Sequence, residues 1–171
     1  MCTVQSAFFN TSIGVLFISC CKRGVHSIDV KNCINKQRNL EELDIKADYN
    51  SVLTNLMVWL KNYFEASNKI LEGVPTICPT VLSSKGKFTE KVWKTLFTCV
   101  PFGTSISYGG LAELSGNSSA SRAVGTAMKN NPVPILIPCH RVIKSDGSIG
   151  HYSGGNGVKE WLLKHEKNGI L

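Results

Sequence analysis

The chain has 171 residues, of which 43% are hydrophobic, enough for one domain or for two small lobes sharing a core. No apolar run approaches the length of a membrane span, Lys22 and Arg23 interrupt the longest candidate, and the polar start lacks a signal's basic residues, so the chain reads as soluble and intracellular. The net charge of +7 divides into +1 over residues 1–84 and +6 over residues 85–171. A basic C-terminal half points to a polyanionic partner, nucleic acid before membrane, or simply to a soluble surface.

The first third reads as strands. "SAFFN", "GVLFISC" and "GVHSIDV" are apolar or alternating runs punctuated by Asn10-Thr11-Ser12 and Lys22-Arg23-Gly24, the pattern of a β-meander. "SVLTNLMVWLKNYF" spaces Leu53, Leu56, Met57, Leu60 and Phe64 as an amphipathic helix, with Ser51 as its N-cap. The stretch 73–86 carries two prolines and a Ser/Lys/Gly tail, and reads as a long connection holding the lobe boundary. Residues 1–80 then form an N-terminal lobe and residues 81–171 a C-terminal one.

The second lobe reads as short helices. Val92, Trp93, Leu96 and Phe97 share one face of a helix within residues 88–98. "SYGGLAEL", "SGNS" and "SASRAVGTAMKN" outline two helices around a Gly-containing turn, as in a helix-turn-helix or any αα-hairpin. On the second of these, Ser119, Arg122, Thr126 and Lys129 share a face of small residues with one long cation in the middle, and Gly125 lies beside it. Such a face suits either a neighbouring helix or a rigid partner such as DNA. Asp146-Gly147 marks a tight turn, and "GHYSGG" a loop. A last helix follows, with Asn156 as cap and Gly169 as stop.

Seven cysteines, an odd number with Cys20 and Cys21 adjacent, suit no disulfide framework and leave reduced thiols for metal binding or nucleophilic chemistry. The stretch "PVPILIPCHRVI", residues 132–143, is too rich in proline for a buried strand and too apolar for a surface loop. Cys139 within it is either an inert buried thiol or a nucleophile. In the last helix Val158, Trp161, Leu162 and His165 share a face, and Glu166 at its edge needs a partner, for which His140 is a candidate. A Cys139–His140–Glu166 relay would activate the thiol, through a sharp turn of the chain or a bridging water.

"NPVPILIPCHRVI", with "SRAVGTAM" before it and "YSGG…VKEWLLKHE" after it, closely resembles the O6-alkylguanine-DNA alkyltransferases, direct-reversal DNA repair proteins. The likeness runs through residues 86–168 and is weaker over residues 1–85. It implies an α+β fold, with a small antiparallel sheet plus helix, ribonuclease H-like, followed by a mostly helical, winged-helix-like lobe with the helix-turn-helix. It implies that a monomer flips O6-alkylguanine, or O4-alkylthymine, out of double-stranded DNA and transfers the alkyl group irreversibly to Cys139, with no catalytic cofactor. His140, through water, and Glu166 support the thiolate, Asn131 braces the turn, and Tyr108 assists flipping and protonates the departing guanine. Arg122 fills the gap left in the stack, with Ser121, Ala123, Thr89, Tyr108 and Lys129 along the DNA, in the minor groove. Met128, Val142, Tyr152, Ser153 and Gly154 line the base pocket. Ser121, Lys129 and His151 depart from the residues usual in animal members. A structural zinc of the family aligns with Cys2, Cys21 and His26, and at the fourth position with Cys78 in place of histidine. The substrate implies a nuclear location. Two rivals are a non-repairing alkylated-DNA-binding protein, which would lack the acceptor cysteine, and a cysteine hydrolase, for which no oxyanion-hole motif is present.

Overall fold

The computed structural model describes residues 2–31, 49–65, 72–150, 152, 154–155 and 157–169. It divides into two compact units, residues 1–81 and 82–171.

In the first unit, strands β1 (Gln5–Thr11), β2 (Gly14–Cys21) and β3 (Gly24–Lys31) form an antiparallel meander in that order. Alternation sends Leu16, Ile18 and Cys20 of β2 inward, each fully buried, with helix α1 (Ser51–Phe64) packed on the sheet. Leu53, Leu56, Met57 and Leu60 of α1 are buried as the periodicity predicts, with Trp59 and Tyr63 joining them, whereas Phe64 is half-buried. The cap is Asn50, one residue earlier than expected: its side chain accepts from Leu53 N, and Gln5 Oε1 accepts from Asn50 N, tying β1 to α1.

The β2–β3 register shifts at one place. Ser19 pairs with Ser27 but Cys20 with Val25, so His26 is an extra residue on β3. A bulge of this kind re-aims a side chain, and it lets Val25 and Ile28 both reach the core. The expected connection after residue 73 has more structure than its prolines suggested. Ile77 bridges Val25, with Val25 N donating to Thr76 O (2.8 Å) and Cys78 N to Val25 O (3.0 Å). A short helix α2 (Pro79–Leu82) and a 3-10 turn (Ser83–Lys85) follow. Gly24 makes this docking feasible, since a Cβ there would sit 2.5 Å from Cys78 N.

The second unit contains α3 (Lys87–Cys99), β4 (Ile106–Ser107), α4 (Tyr108–Leu114), α5 (Ser121–Lys129), β5 (Val142–Ile143) and α6 (Val158–Asn168). Val92, Trp93 and Leu96 of α3 are buried, while Phe97 is exposed. The Trp93 indole donates to Ala127 O (2.9 Å), so the largest core side chain satisfies its own N–H while fixing α3 to α5. Helices α4 and α5 pack together across residues 115–120, and Val124, Ala127 and Met128 are the buried side of α5. The Asp146-Gly147 turn closes as expected, with Lys144 N donating to Ser148 O and Gly147 at φ +82°. Helix α6 begins after Gly157 and ends at Gly169. Asn156, expected as its cap, lies outside the described residues, as do His151 and Ser153.

Candidate active site

The proline-rich segment is a buried, irregular reversal, and Asn131 holds its shape. The Asn131 amide donates to Ile137 O (2.8 Å) while its Oδ1 accepts from Val133 N (3.0 Å), and Ile137 N donates to Val133 O. Between these bonds Ile135 sits at φ 73°, a left-handed conformation that costs a β-branched residue about 1–3 kcal/mol. The prolines suit the site because Pro134 and Pro138 are buried with no N–H to satisfy, and Pro132 is half-buried beside them. The chain then makes a 3-10 turn over Cys139–Arg141 and enters β5, whose Val142 and Ile143 pair in parallel with Ile106 and Ser107. Successive side chains of such a turn diverge by about 120°. Cys139 lines a cavity and His140 meets α6.

Glu166, 1% exposed, is the hub behind the thiol. His140 Nε2 lies 2.6 Å from its Oε1. Arg141 grips both oxygens, Nε to Oε2 at 2.8 Å and Nη2 to Oε1 at 2.9 Å, and Gly103 N also donates to Oε2. A third guanidinium nitrogen of Arg141 donates to Val100 O. Burial opposes the Glu166 charge, but His140 and Arg141 outweigh it and hold its carboxyl far below the usual range. Burial likewise keeps His140 below the ordinary imidazole range, against the pull of Glu166, so the ring is neutral at physiological pH. With an ionised carboxylate beside Nε2, that nitrogen carries the proton and Nδ1 is the basic one.

Cys139 is 3% exposed, on a cavity of about 710 Å³ shared with Tyr108, Met128, Lys129, Tyr152 and Lys159. Burial pushes its thiol up, while hydrogen bonds from Asn131 and Tyr152 and the charge of Lys159 pull it back. The thiol is thus protonated at rest but surrounded by groups that favour its anion. Burial also raises the Tyr108 and Tyr152 phenols, and the Cys139 anion adds to both effects. Val142 is buried in β5 and Gly154 is buried after Tyr152, where a Cβ would meet the Tyr152 ring at 2.7 Å.

Two residues of this site escaped the sequence reading. Arg141 was in plain view beside Cys139 and His140, but nothing in one dimension joins it to residue 166. Lys159 is 2% exposed, donates to Val142 O (2.6 Å) and lies 6.0 Å from the Tyr108 ring centroid. Its spacing to Leu162 and Glu166 is i, i+3, i+7, so the stripe contained it. The buried row of α6 is Val158, Lys159, Leu162 and Glu166; Trp161 and His165 are half-buried beside it, stacked with centroids 4.7 Å apart.

On α5, Arg122, Ala123, Thr126 and Lys129 are exposed and Ser121 is half-buried. Ser119 precedes α5 and is exposed, and Thr89 is half-buried in the first turn of α3. The small-residue face is therefore open to solvent rather than packed on a helix.

The first unit holds a separate cluster. The ligand atoms of Cys2, Cys21, His26 and Cys78 lie within 4.8 Å of one another, with Cys21 Sγ to Cys78 Sγ at 3.8 Å. The sheet bulge supplies His26, and the docking against Gly24 supplies Cys78. A second cavity, about 820 Å³, opens beside Cys2, Cys21 and His26. It is larger than the Cys139 cavity, and no carboxylate is among its described lining residues.

Replacing Glu166 with Gln should leave Arg141 buried without a counter-charge and cost about 3–5 kcal/mol in denaturant unfolding. The folded-state depression of the carboxyl makes its stabilising contribution present above the ordinary carboxylate range and lost as pH falls toward the folded value. That acid-side loss should be absent from E166Q; an E166Q profile matching wild type would remove Glu166 from the account.

Residues 87–168 match the family model "6-O-methylguanine DNA methyltransferase, DNA binding domain", and residues 4–77 match its "ribonuclease-like domain". The chain is 40% identical over 178 residues to the methylated-DNA–protein-cysteine methyltransferase of Mus musculus, covering 96% of this chain and 82% of that one. It is 41% identical over 169 residues to the Homo sapiens protein of the same name, covering 96% and 81%. The crystal structure of Mycobacterium tuberculosis O6-methylguanine methyltransferase superposes with a TM-score of 0.70 at 28% identity, covering 99% of this chain and 96% of that one. That of Mycobacterium tuberculosis OGT in complex with DNA gives 0.71 at 28% identity, covering 95% and 92%. Two matched domains and these full-length similarities place the chain in the 6-O-methylguanine DNA methyltransferase family.

Proposed function

We propose that this protein repairs alkylated DNA by moving the alkyl group of O6-alkylguanine onto Cys139, once per molecule. The observation that carries this reading is a thiol on the wall of a cavity, backed by a neutral histidine that a fixed carboxylate orients. The Cys139 proton passes to His140, directly or through water. The sulfur forms a bond to the alkyl carbon as the carbon–oxygen bond breaks, and Tyr108 donates a proton to the leaving guanine. Burial pushes the Tyr108 phenol above its ordinary range, so it is protonated at neutral pH, as a donor must be. Lys159 lowers the energy of the thiolate during the attack. The thioether product has no leaving group for water to displace, so no step regenerates the thiol and none needs a cofactor.

The target oxygen is buried inside a duplex, so the nucleotide must leave the stack. The solvent-facing α5 supports this: Arg122 can occupy the gap, while Ser121, Ala123 and Thr126 allow close approach to a groove, with Lys129 and Thr89 at its edges. Met128 and Tyr152 bound the space for the base, whereas Val142 and Gly154 are buried and not part of that cavity's wall, and a monomer suffices. In a cell with a nucleus, the substrate assigns the protein to that compartment. The acceptor thiol sets this reading apart from a binding-only protein, and no sequence motif for an oxyanion hole favours a hydrolase.

The first-unit cluster fits a structural zinc. Three thiolates and an imidazole are a closed tetrahedral donor set, and the 3.8 Å Sγ–Sγ separation is close to the roughly 3.8 Å edge that 2.3 Å bonds would give. His26 Nε2 is buried and has no hydrogen-bond partner among the described residues. The ion would stiffen the first unit and leave no open position for chemistry. Elemental analysis of protein expressed with zinc should find about one equivalent, and substantially less in Cys78→Ser; zinc-free wild type would overturn the assignment.

Incubation with O6-methylguanine duplex should add one methyl group per chain by mass, located on Cys139. Cys139→Ser should add none yet retain DNA binding, because phosphate contacts carry the affinity. Methylation of that variant at another residue, or catalytic turnover by wild type, would exclude the mechanism. Arg122→Ala should slow transfer from duplex DNA on the order of a hundredfold, the cost of an unsupported flipped base. Reaction with free O6-alkylguanine base should be nearly unchanged, and equal losses on both substrates would reassign Arg122.

A further inference from the structure

We infer that Cys21 and Cys78 are an oxidation site: in metal-free protein a hydroperoxide converts this pair to an intramolecular disulfide that staples β2 to the segment leading into α2. The inference is independent of the repair reading.

The geometry is already close to bonding. The two sulfurs are 3.8 Å apart, and a disulfide needs about 2.0 Å, a gap that rotation of two short side chains can close. Their backbones are pinned nearby. Cys21 pairs with Gly24, and a Cβ on Gly24 would lie 2.5 Å from Cys78 N, while that same nitrogen donates to Val25 O. Cys2 belongs to the cluster and its sulfur also meets Cys21 and Cys78, but it precedes β1 rather than lying on the sheet. Cys20 is adjacent in sequence but points into the core, fully buried, and is no part of the cluster.

Access is asymmetric. Cys21 lines the cavity of about 820 Å³, whose wall also carries Lys22 and Arg23. The Arg23 backbone N–H donates to Cys21 Sγ at 3.2 Å, which fixes that sulfur at the cavity side of the pair. Cys78 is fully buried behind it, within 3.1 Å of Thr80 Oγ1. Cys21 sulfur therefore attacks the peroxide, the O–O bond breaks, and one water leaves a sulfenic acid on Cys21. Cys78 sulfur then displaces the second water and closes the S–S bond; two thiols and one hydrogen peroxide yield one disulfide and two waters. Sulfur oxidised here withdraws two of the four donors, so metal capacity and the disulfide exclude one another.

The test uses the full chain, freed of metal by chelation, with equimolar hydrogen peroxide. Non-reducing peptide mapping should join the fragments holding Cys21 and Cys78, and intact mass should fall by two hydrogens. The melting temperature should rise by about 5 °C over the reduced, metal-free form and return with a reductant. Cys20→Ala and Cys2→Ser should keep the cross-link, and Cys21→Ser and Cys78→Ser should lose it. Because Cys2→Ser removes a metal ligand but neither bridging thiol, its behaviour separates this pair from the zinc assignment. A bridge through Cys2 or Cys20, sulfinate on Cys21 without a bridge, or unmodified thiols would each overturn the inference.

Discussion

A full negative charge in a nearly waterless place governs the second unit. Glu166 is 1% exposed, and a carboxylate there survives only if its lone pairs are taken by strong donors. Arg141 takes two, His140 one and Gly103 N another. These bonds gather three remote stretches: α6, the turn carrying the thiol, and the loop after α3. The catalytic consequence follows from the electrostatic one. Because Arg141 keeps Glu166 ionised, Glu166 can fix the tautomer of His140 without taking its proton, and the opposite ring nitrogen stays basic. Arg141 thus acts on the reaction only through Glu166, as a positioning residue.

The second constraint is conformational. Delivering a thiol from a buried segment requires the chain to reverse where water cannot satisfy its amides. Three prolines reduce the number of amide N–H groups, and Asn131 satisfies one that remains, that of Val133, together with the Ile137 carbonyl. The left-handed Ile135 is the residual strain. Its side chain is 1% exposed, so the burial of an isoleucine, worth about 1.5–3 kcal/mol, offsets a backbone cost of similar size. A glycine would relieve the strain and forfeit the burial, which accounts for a β-branched residue where φ is positive.

Periodicity made the strands, α1 and most of the buried face of α3 legible in the sequence, because local repeats report directly on which side meets the core. The cysteine–histidine–carboxylate grouping was legible for a different reason: a stranded acid at the edge of an apolar stripe demands a partner. What stayed hidden depends on long-range geometry. A row of letters cannot show that the Arg141 fork reaches a carboxylate twenty-five positions away. Lys159 was passed over because lysine is rarely buried, and its cost is met by a backbone carbonyl that no pattern reveals. The bulge at His26 likewise broke the two-residue alternation that made the other strand positions readable.

The cysteines show how little residue type decides. Cys20 and Cys21 are neighbours on one strand, yet they meet opposite environments. Cys20 lies in apolar core, where desolvation lifts its thiol to about 12, and it is inert packing. Cys21 faces a cavity, a backbone N–H and another sulfur, which equips it for a metal or for oxidation. Cys139 is as desolvated as a core cysteine, but Asn131, Tyr152 and Lys159 face its sulfur and a base stands one residue away. Burial alone would have silenced all three. Reactivity follows instead from the groups that each sulfur meets: for Cys21 the Arg23 N–H and the docked Cys78, for Cys139 the Asn131 amide of the strained turn together with Tyr152 and Lys159.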